Sequence, residues 1–133
     1  METVRQTRNV TSKSLYLIGL QRLKESLKNG TTHVEAKSGY GLSTEHELRL
    51  LAIVDQLKQQ QGVPSIHSTW MGAHAKTPEH TYQSYTEEIL ADQLPNVLES
   101  GLAESADVFC EPGWFSVEQS EDILRAARLG GLD

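Results

Sequence analysis

The stretch "THVEAKSGYGLSTEHELRLL", Thr32–Leu51, decides how the rest of the chain is read. It opens with the β-rich run "THVEA". Side chains alternate along a strand, so Val34 and Ala36 point one way and His33, Glu35 and Lys37 the other. "KSGYGL" follows as a turn in which Gly39 and Gly41 flank Tyr40. Thr44 and Glu47 then have the spacing of a capping box. They open a helix that places Leu50, Leu51, Val54 and Leu57 on one face. The stretch is thus a strand, a turn and a helix in immediate succession.

The same unit recurs outward from it. Upstream, Tyr16, Leu20, Leu23 and Leu27 have helical spacing over Ser12–Lys28, and Asn29-Gly30 supplies a stop. Downstream, Gly62 and Pro64 end the first unit and "SIHSTWM" is a second strand. A helix is expected from about Thr81 toward Gln93, where Pro95 should break or kink it. "ADVFCE" is a third strand and "PGWFS" a turn. Ser116 with Gln119 is a further capping box, Ile123, Ala126 and Ala127 are the buried stripe, and Gly130-Gly131 closes the helix. Alternation of helix and strand implies α/β architecture with parallel strands. Both a doubly wound sheet and a β/α barrel satisfy it. Three strands cannot close a barrel, and after the helix ending at "GGLD" another strand is expected, which suggests a segment of something larger. A small open three-layer α/β domain is the alternative.

Composition narrows the function. With 133 residues, 38% hydrophobic and 23% charged, the chain can build one domain with a core. Its longest apolar run, "LYLIGL", is far below a membrane span, and "METVRQTRNV" lacks a signal-peptide core. The net charge of −6 comes from interspersed acids and bases, which argues against a nucleic-acid surface and fits a small-molecule substrate. One cysteine, Cys110, excludes an internal disulfide, so a cytoplasmic setting is the default expectation.

In parallel α/β folds, ligands bind beyond the carboxyl ends of the strands. Lys37 and Tyr40 follow the first strand, Gly72, Ala73 and His74 the second, and Glu111 and Trp114 the third. A strand buried on both sides should be apolar on both, so His33, Glu35 and Lys37 imply either a polar lumen or ion pairs within a core. "GYG" is neither a dinucleotide fingerprint nor a P-loop. Small neighbours leave the His74 ring unobstructed in "GAHA". His67 should lie on the opposite strand face from His74, which makes them a poor metal pair. His46 and His80 read as surface or loop residues, and no complete metal site is legible. Cys110 reads as a small buried hydrophobe, and Trp114 and Phe115 as packing under their turn.

Together, "VEAKSGYGLSTEHELRLL", "STWMGAHAKTPEH" and "DVFCEPGWFSVEQSEDILRAAR" resemble the imidazolonepropionase family of the amidohydrolase superfamily. So does the N-terminal "METVRQTRNVTSKSLYLIGLQRLKESLKNGTTHVE", and the resemblance spans essentially the whole chain. It implies a TIM-like (β/α)8 metal-dependent amidohydrolase barrel with a small flanking β domain, of which residues 1–133 are consecutive parallel β/α units of the central part. The implied activity is hydrolysis of 4-imidazolone-5-propanoate to N-formimidoyl-L-glutamate in histidine degradation. The implied cofactor is one zinc or iron ion that activates water. Tyr40 and His74 match the family's substrate-contacting tyrosine and histidine. The family's metal ligands have no counterparts here: an H-x-H pair would precede Met1, and an H-x-D-[EQ] motif would follow Asp133. No catalytic or metal-ligating residue is therefore assigned within the chain, and alone it is expected to bind no metal and to be inactive. The family commonly forms homodimers. Two other readings stay open: a different amidohydrolase-superfamily hydrolase such as a deaminase, and a non-catalytic free-standing α/β module that binds a small acid.

Overall fold

A computed structural model describes residues 2–133. Its elements run α1 (Glu2–Asn9), α2 (Ser12–Lys28), β1 (His33–Lys37), α3 (Thr44–Lys58), β2 (Ser65–Ala73) and α4 (Tyr82–Glu88). A π turn (Ile89–Gln93) leads into α5 (Leu94–Ser100), followed by β3 (Ser105–Val108) and α6 (Val117–Leu129). The three strands form one parallel sheet in the order β1-β2-β3. The alternation of units read from the sequence is therefore present, in an open sheet with β1 and β3 at its edges.

One face of this sheet is packed. Trp70 from β2 meets Leu51 of α3, Tyr85 of α4, Ile89 of the π turn, Val97 of α5 and Ile123 of α6 in a single core, with Ala106 and Val108 of β3 against it. The other face carries Glu35 and Lys37 from β1, His67 and Thr69 from β2, and Ser105 and Asp107 from β3. The register sets Glu35 beside His67 and Lys37 beside Thr69, with Thr69 in turn beside Ser105. These groups satisfy one another. Thr69 Oγ1 donates to Glu35 Oε1 at 2.6 Å and lies 2.8 Å from Ser105 Oγ, which is 2.9 Å from His67 Nε2. Lys37 Nζ lies 2.6 Å from Asp107 Oδ2 and 3.7 Å from Glu35 Oε2. The ionisable face of β1 is both paired and, within this chain, open: the side chains of Glu35 and Lys37 are 47% and 38% exposed.

Two sequence expectations change, the Thr44–Glu47 cap and the burial of Cys110; one helix is added, and Pro95 follows an interruption of its helix rather than a break. Residues 2–9 form α1, whose short polar pattern gave no signal of a helix. Pro95 does not end the third helix. The chain stays helical from Tyr82 to Ser100 because the π turn intervenes, with Leu94 N–H donating to Ile89 O, and Pro95 falls in the first turn of α5, where a missing donor is tolerated. The cap of α3 is Ser43, whose side chain accepts from His46 N–H, rather than a Thr44–Glu47 box. Cys110 is exposed rather than buried: β3 ends at Val108, so Cys110 lies in the turn, joined to Phe115 only by an isolated bridge. The capping box of Ser116 and Gln119 on α6 is formed as read. No described helix is long and apolar enough to cross a membrane.

Candidate functional site at the carboxyl ends of the strands

The turn after β1 is built around a buried acid. Glu47, in the first turn of α3, is fully buried and turns its carboxylate back into the loop. Gly39 N–H donates to Oε2 at 2.6 Å, and the Gly41 and Leu42 N–H groups donate to Oε1 at 2.8 and 2.9 Å. The backbone that aims these amides is left-handed at Gly39 (φ 87°), Tyr40 (φ 59°) and Leu42 (φ 51°). Glycine is needed at 39, where a Cβ would collide with Met71 as well. From the other side Arg8 of α1 donates to the carbonyls of Gly41 (2.7 Å) and Leu42 (2.9 Å). Leu42 is buried, whereas Tyr40 is presented at the tip, 45% exposed.

The turn after β2 delivers His74. A register shift between Trp70 and Ala73 breaks the alternation of the strand, and His74 emerges on the same open side as His67, not opposite it. Its Nε2 lies 3.0 Å from Asp107 Oδ2. Burial pushes the His74 pKa down, against the opposing pull of Asp107, and this favours the neutral ring. Burial raises the Asp107 pKa, but the bond from Lys37 and the neighbouring His74 outweigh it and leave the carboxyl below its ordinary value. The bond to Asp107 raises the Lys37 pKa. Lys37 and Asp107 therefore stand as a charged pair beside a neutral imidazole.

The turn after β3 supplies aromatic walls. Phe109 stacks on His74 with ring centroids 5.8 Å apart, and Trp114 meets Phe109 edge-on at 5.0 Å. Phe115 packs in the core as expected from the sequence, but Trp114 faces outward, 43% exposed. Tyr40, His74, Ala75, Phe109 and Trp114 line one cavity of about 260 Å³. The two residues singled out from the sequence, Tyr40 and His74, thus meet. Phe109 was missed as a lining residue because it reads as part of the third strand, whereas Trp114 was placed on this face but read as packing under its turn. Glu111, on the same turn, lies outside that cavity and borders a neighbouring one with Cys110 and Trp114.

A parallel α/β sheet whose three carboxyl-end turns converge on a polar tip, a neutral histidine and aromatic walls has the layout of a small-molecule site. Similarity to known proteins narrows the class. The chain is 43% identical over its whole length to an imidazolonepropionase of Shewanella sediminis (strain HAW-EB3), of which it covers 33%. It is 45% identical over 98% of its length to the imidazolonepropionase of Caldanaerobacter subterraneus subsp. tengcongensis, covering 32% of that protein. The Shewanella loihica imidazolonepropionase is 41% identical over the whole chain. The chain therefore spans about a third of the length of the curated relatives it matches. No family model matches it.

Proposed function

We propose that this chain is the substrate-contacting third of an imidazolonepropionase, the enzyme that opens the ring of 4-imidazolone-5-propanoate with water to give N-formimidoyl-L-glutamate. The observation that carries the reading is the identity of 43% along the entire chain. The convergence of Tyr40 and His74 on one cavity supports it.

In this reading the polar face of the sheet lines the interior of a (β/α)8 barrel completed by strands outside the segment. Tyr40 presents a phenol that donates to a polar atom of the substrate. His74, held neutral by burial, offers one ring nitrogen to the substrate while the Lys37–Asp107 pair sits behind it. Phe109 and Trp114 give flat apolar surfaces against which a planar five-membered ring can lie. A metal ion in such an enzyme would lower the pKa of the attacking water. Among the described residues no group of three or more His, Cys, Asp or Glu side chains could hold one. The residues present do not fit a metal by themselves, so the ligands would come from the remainder of the barrel and no step of the reaction is assigned to a metal here.

A chimaera tests the proposal. Residues 1–133 would replace the matching third of the Shewanella sediminis relative, and turnover of 4-imidazolone-5-propanoate would be followed. Turnover near that of the parent supports the assignment. A folded, metal-loaded chimaera with no turnover contradicts it.

A further inference from the structure

The geometry of the first turn points to a role for a residue that contacts no ligand: we propose that Glu47 is the positioning residue for Tyr40, with Arg8 as its counterpart on the opposite side of the loop. The inference rests on the reading of Tyr40 as a substrate contact.

A buried carboxylate is costly unless its oxygens are hydrogen-bonded, and those of Glu47 are bonded to main-chain amides of the Tyr40 loop. Three amides aimed at one anion form a nest, a concavity that favours negative charge, and Glu47 supplies it. Tyr40 and Leu42 both sit at positive φ, where residues other than glycine are uncommon and persist only if their surroundings over-determine them. Glu47 and Arg8 supply that over-determination. The acid collects the amide ends of the loop peptides, and the guanidinium collects the carbonyl ends at Gly41 and Leu42. Gly41 lets the loop come this close, since a Cβ there would lie 2.9 Å from Glu47 Oε1. Arg8 is fixed in turn by its place on α1, because Arg49 of α3 donates to the carbonyls of Thr7 (2.5 Å) and Val10 (3.1 Å) at the end of that helix. The phenol of Tyr40 is half-exposed, so its direction toward the cavity shared with His74 is inherited from this backbone.

A double-mutant cycle in the chimaera separates positioning from general stability. Glu47→Gln keeps the shape but replaces an acceptor oxygen with a donor group, so it cannot accept all three amides. We expect kcat/KM to fall about tenfold in Glu47→Gln and about tenfold in Tyr40→Phe, the scale of one good hydrogen bond. The double variant should be no worse than the poorer single one, since both changes remove the same contact. Losses that multiply would overturn the proposal. Hydrogen exchange on the unsubstituted protein gives a readout that survives failure of a variant to fold. The amides of Gly39, Gly41 and Leu42 should be strongly protected, and rapid exchange at all three overturns the hold by Glu47 while leaving the role of Tyr40 intact. Unchanged kinetics in Tyr40→Phe overturns the proposal from the other direction, by removing Tyr40 from the site.

Discussion

His74 brings partial burial and a neighbouring carboxylate together in one side chain. Burial lowers its pKa and favours the neutral ring, although Asp107 at 3.0 Å pulls the other way. That arrangement has a consequence for stability. The folded-state pKa lies below that of the unfolded chain, so the unfolded state takes up the proton first as pH falls. Stability is then fully present above the ordinary histidine pKa of about 6.5 and is lost as pH drops through the lower folded value. His46 contributes in the same sense, since burial and then the charges of Arg8 and Arg49 lower its pKa. The melting temperature should therefore decline from about pH 7.5 to about pH 5, and His74→Gln should flatten that decline. A wild-type slope unchanged by His74→Gln would assign the titration elsewhere. That Tyr40 and His74 would share the carboxyl-end face of the sheet was legible, because each follows a strand in a turn of small residues. Glu47 was legible only in part. An acid at that offset from Thr44 reads as a capping residue, and the fact that it serves the preceding loop depends on backbone angles at Gly39, Tyr40 and Leu42 that no spacing rule encodes.

At the scale of elements, the π turn between α4 and α5 ties a local irregularity to the end of β2. It places Gln93, fully buried, where its Oε1 accepts from Trp70 Nε1 at 3.0 Å, with the Tyr85 hydroxyl 3.4 Å from Gln93 Nε2. Tyr85 in turn donates toward the carbonyl of Gly72 at 3.4 Å, and burial raises its pKa far above the ordinary phenol value. This network lies under the end of β2, just before His74. Gly72 is the residue that admits it, for any Cβ there would overlap Gln93 Oε1 and crowd the Trp70 indole. Gly72→Ala should accordingly destabilise the protein by about 2–3 kcal/mol, through overpacking and a displaced buried amide. Thermal or urea unfolding of the variant measures this, and a loss below about 0.5 kcal/mol would contradict the packing described. The strand–helix alternation was readable because apolar periodicity and the Ser116–Gln119 cap are local signals. The continuous passage of the helix past Pro95 was not, because the π turn just before it, where Gln93 meets Trp70 across the core, has no local sequence signature.

For the whole molecule, the decisive asymmetry is between the two faces of the sheet. One is sealed by helices around Trp70, and the other is a lattice of ion pairs and hydroxyl bonds open to water. A parallel sheet of this kind is ordinarily covered on both sides. Apolar side chains also stand exposed at the two flanks: Leu17 and Ile18 on α2, and Val117, Leu124 and Leu129 on α6. Open strand edges, an ionic face and apolar flanks are what adjacent β/α units of a barrel would cover. The composition of β1 forecast the polar face, but only the pairing of Lys37 with Asp107 and of Thr69 with Glu35 and Ser105 shows that it is organised across all three strands.

On the function proposed above, this face is interior once the chain is joined to the rest of an imidazolonepropionase. Co-expression tests it most directly: residues 1–133 would be produced as one polypeptide with the remaining two thirds of the Shewanella sediminis relative as another. The two are expected to co-purify in equal amounts and together to hydrolyse 4-imidazolone-5-propanoate. A chain of 133 residues that stays a cooperatively melting monomer beside its folded counterpart, with no turnover from the mixture, would contradict it and leave a free-standing α/β module.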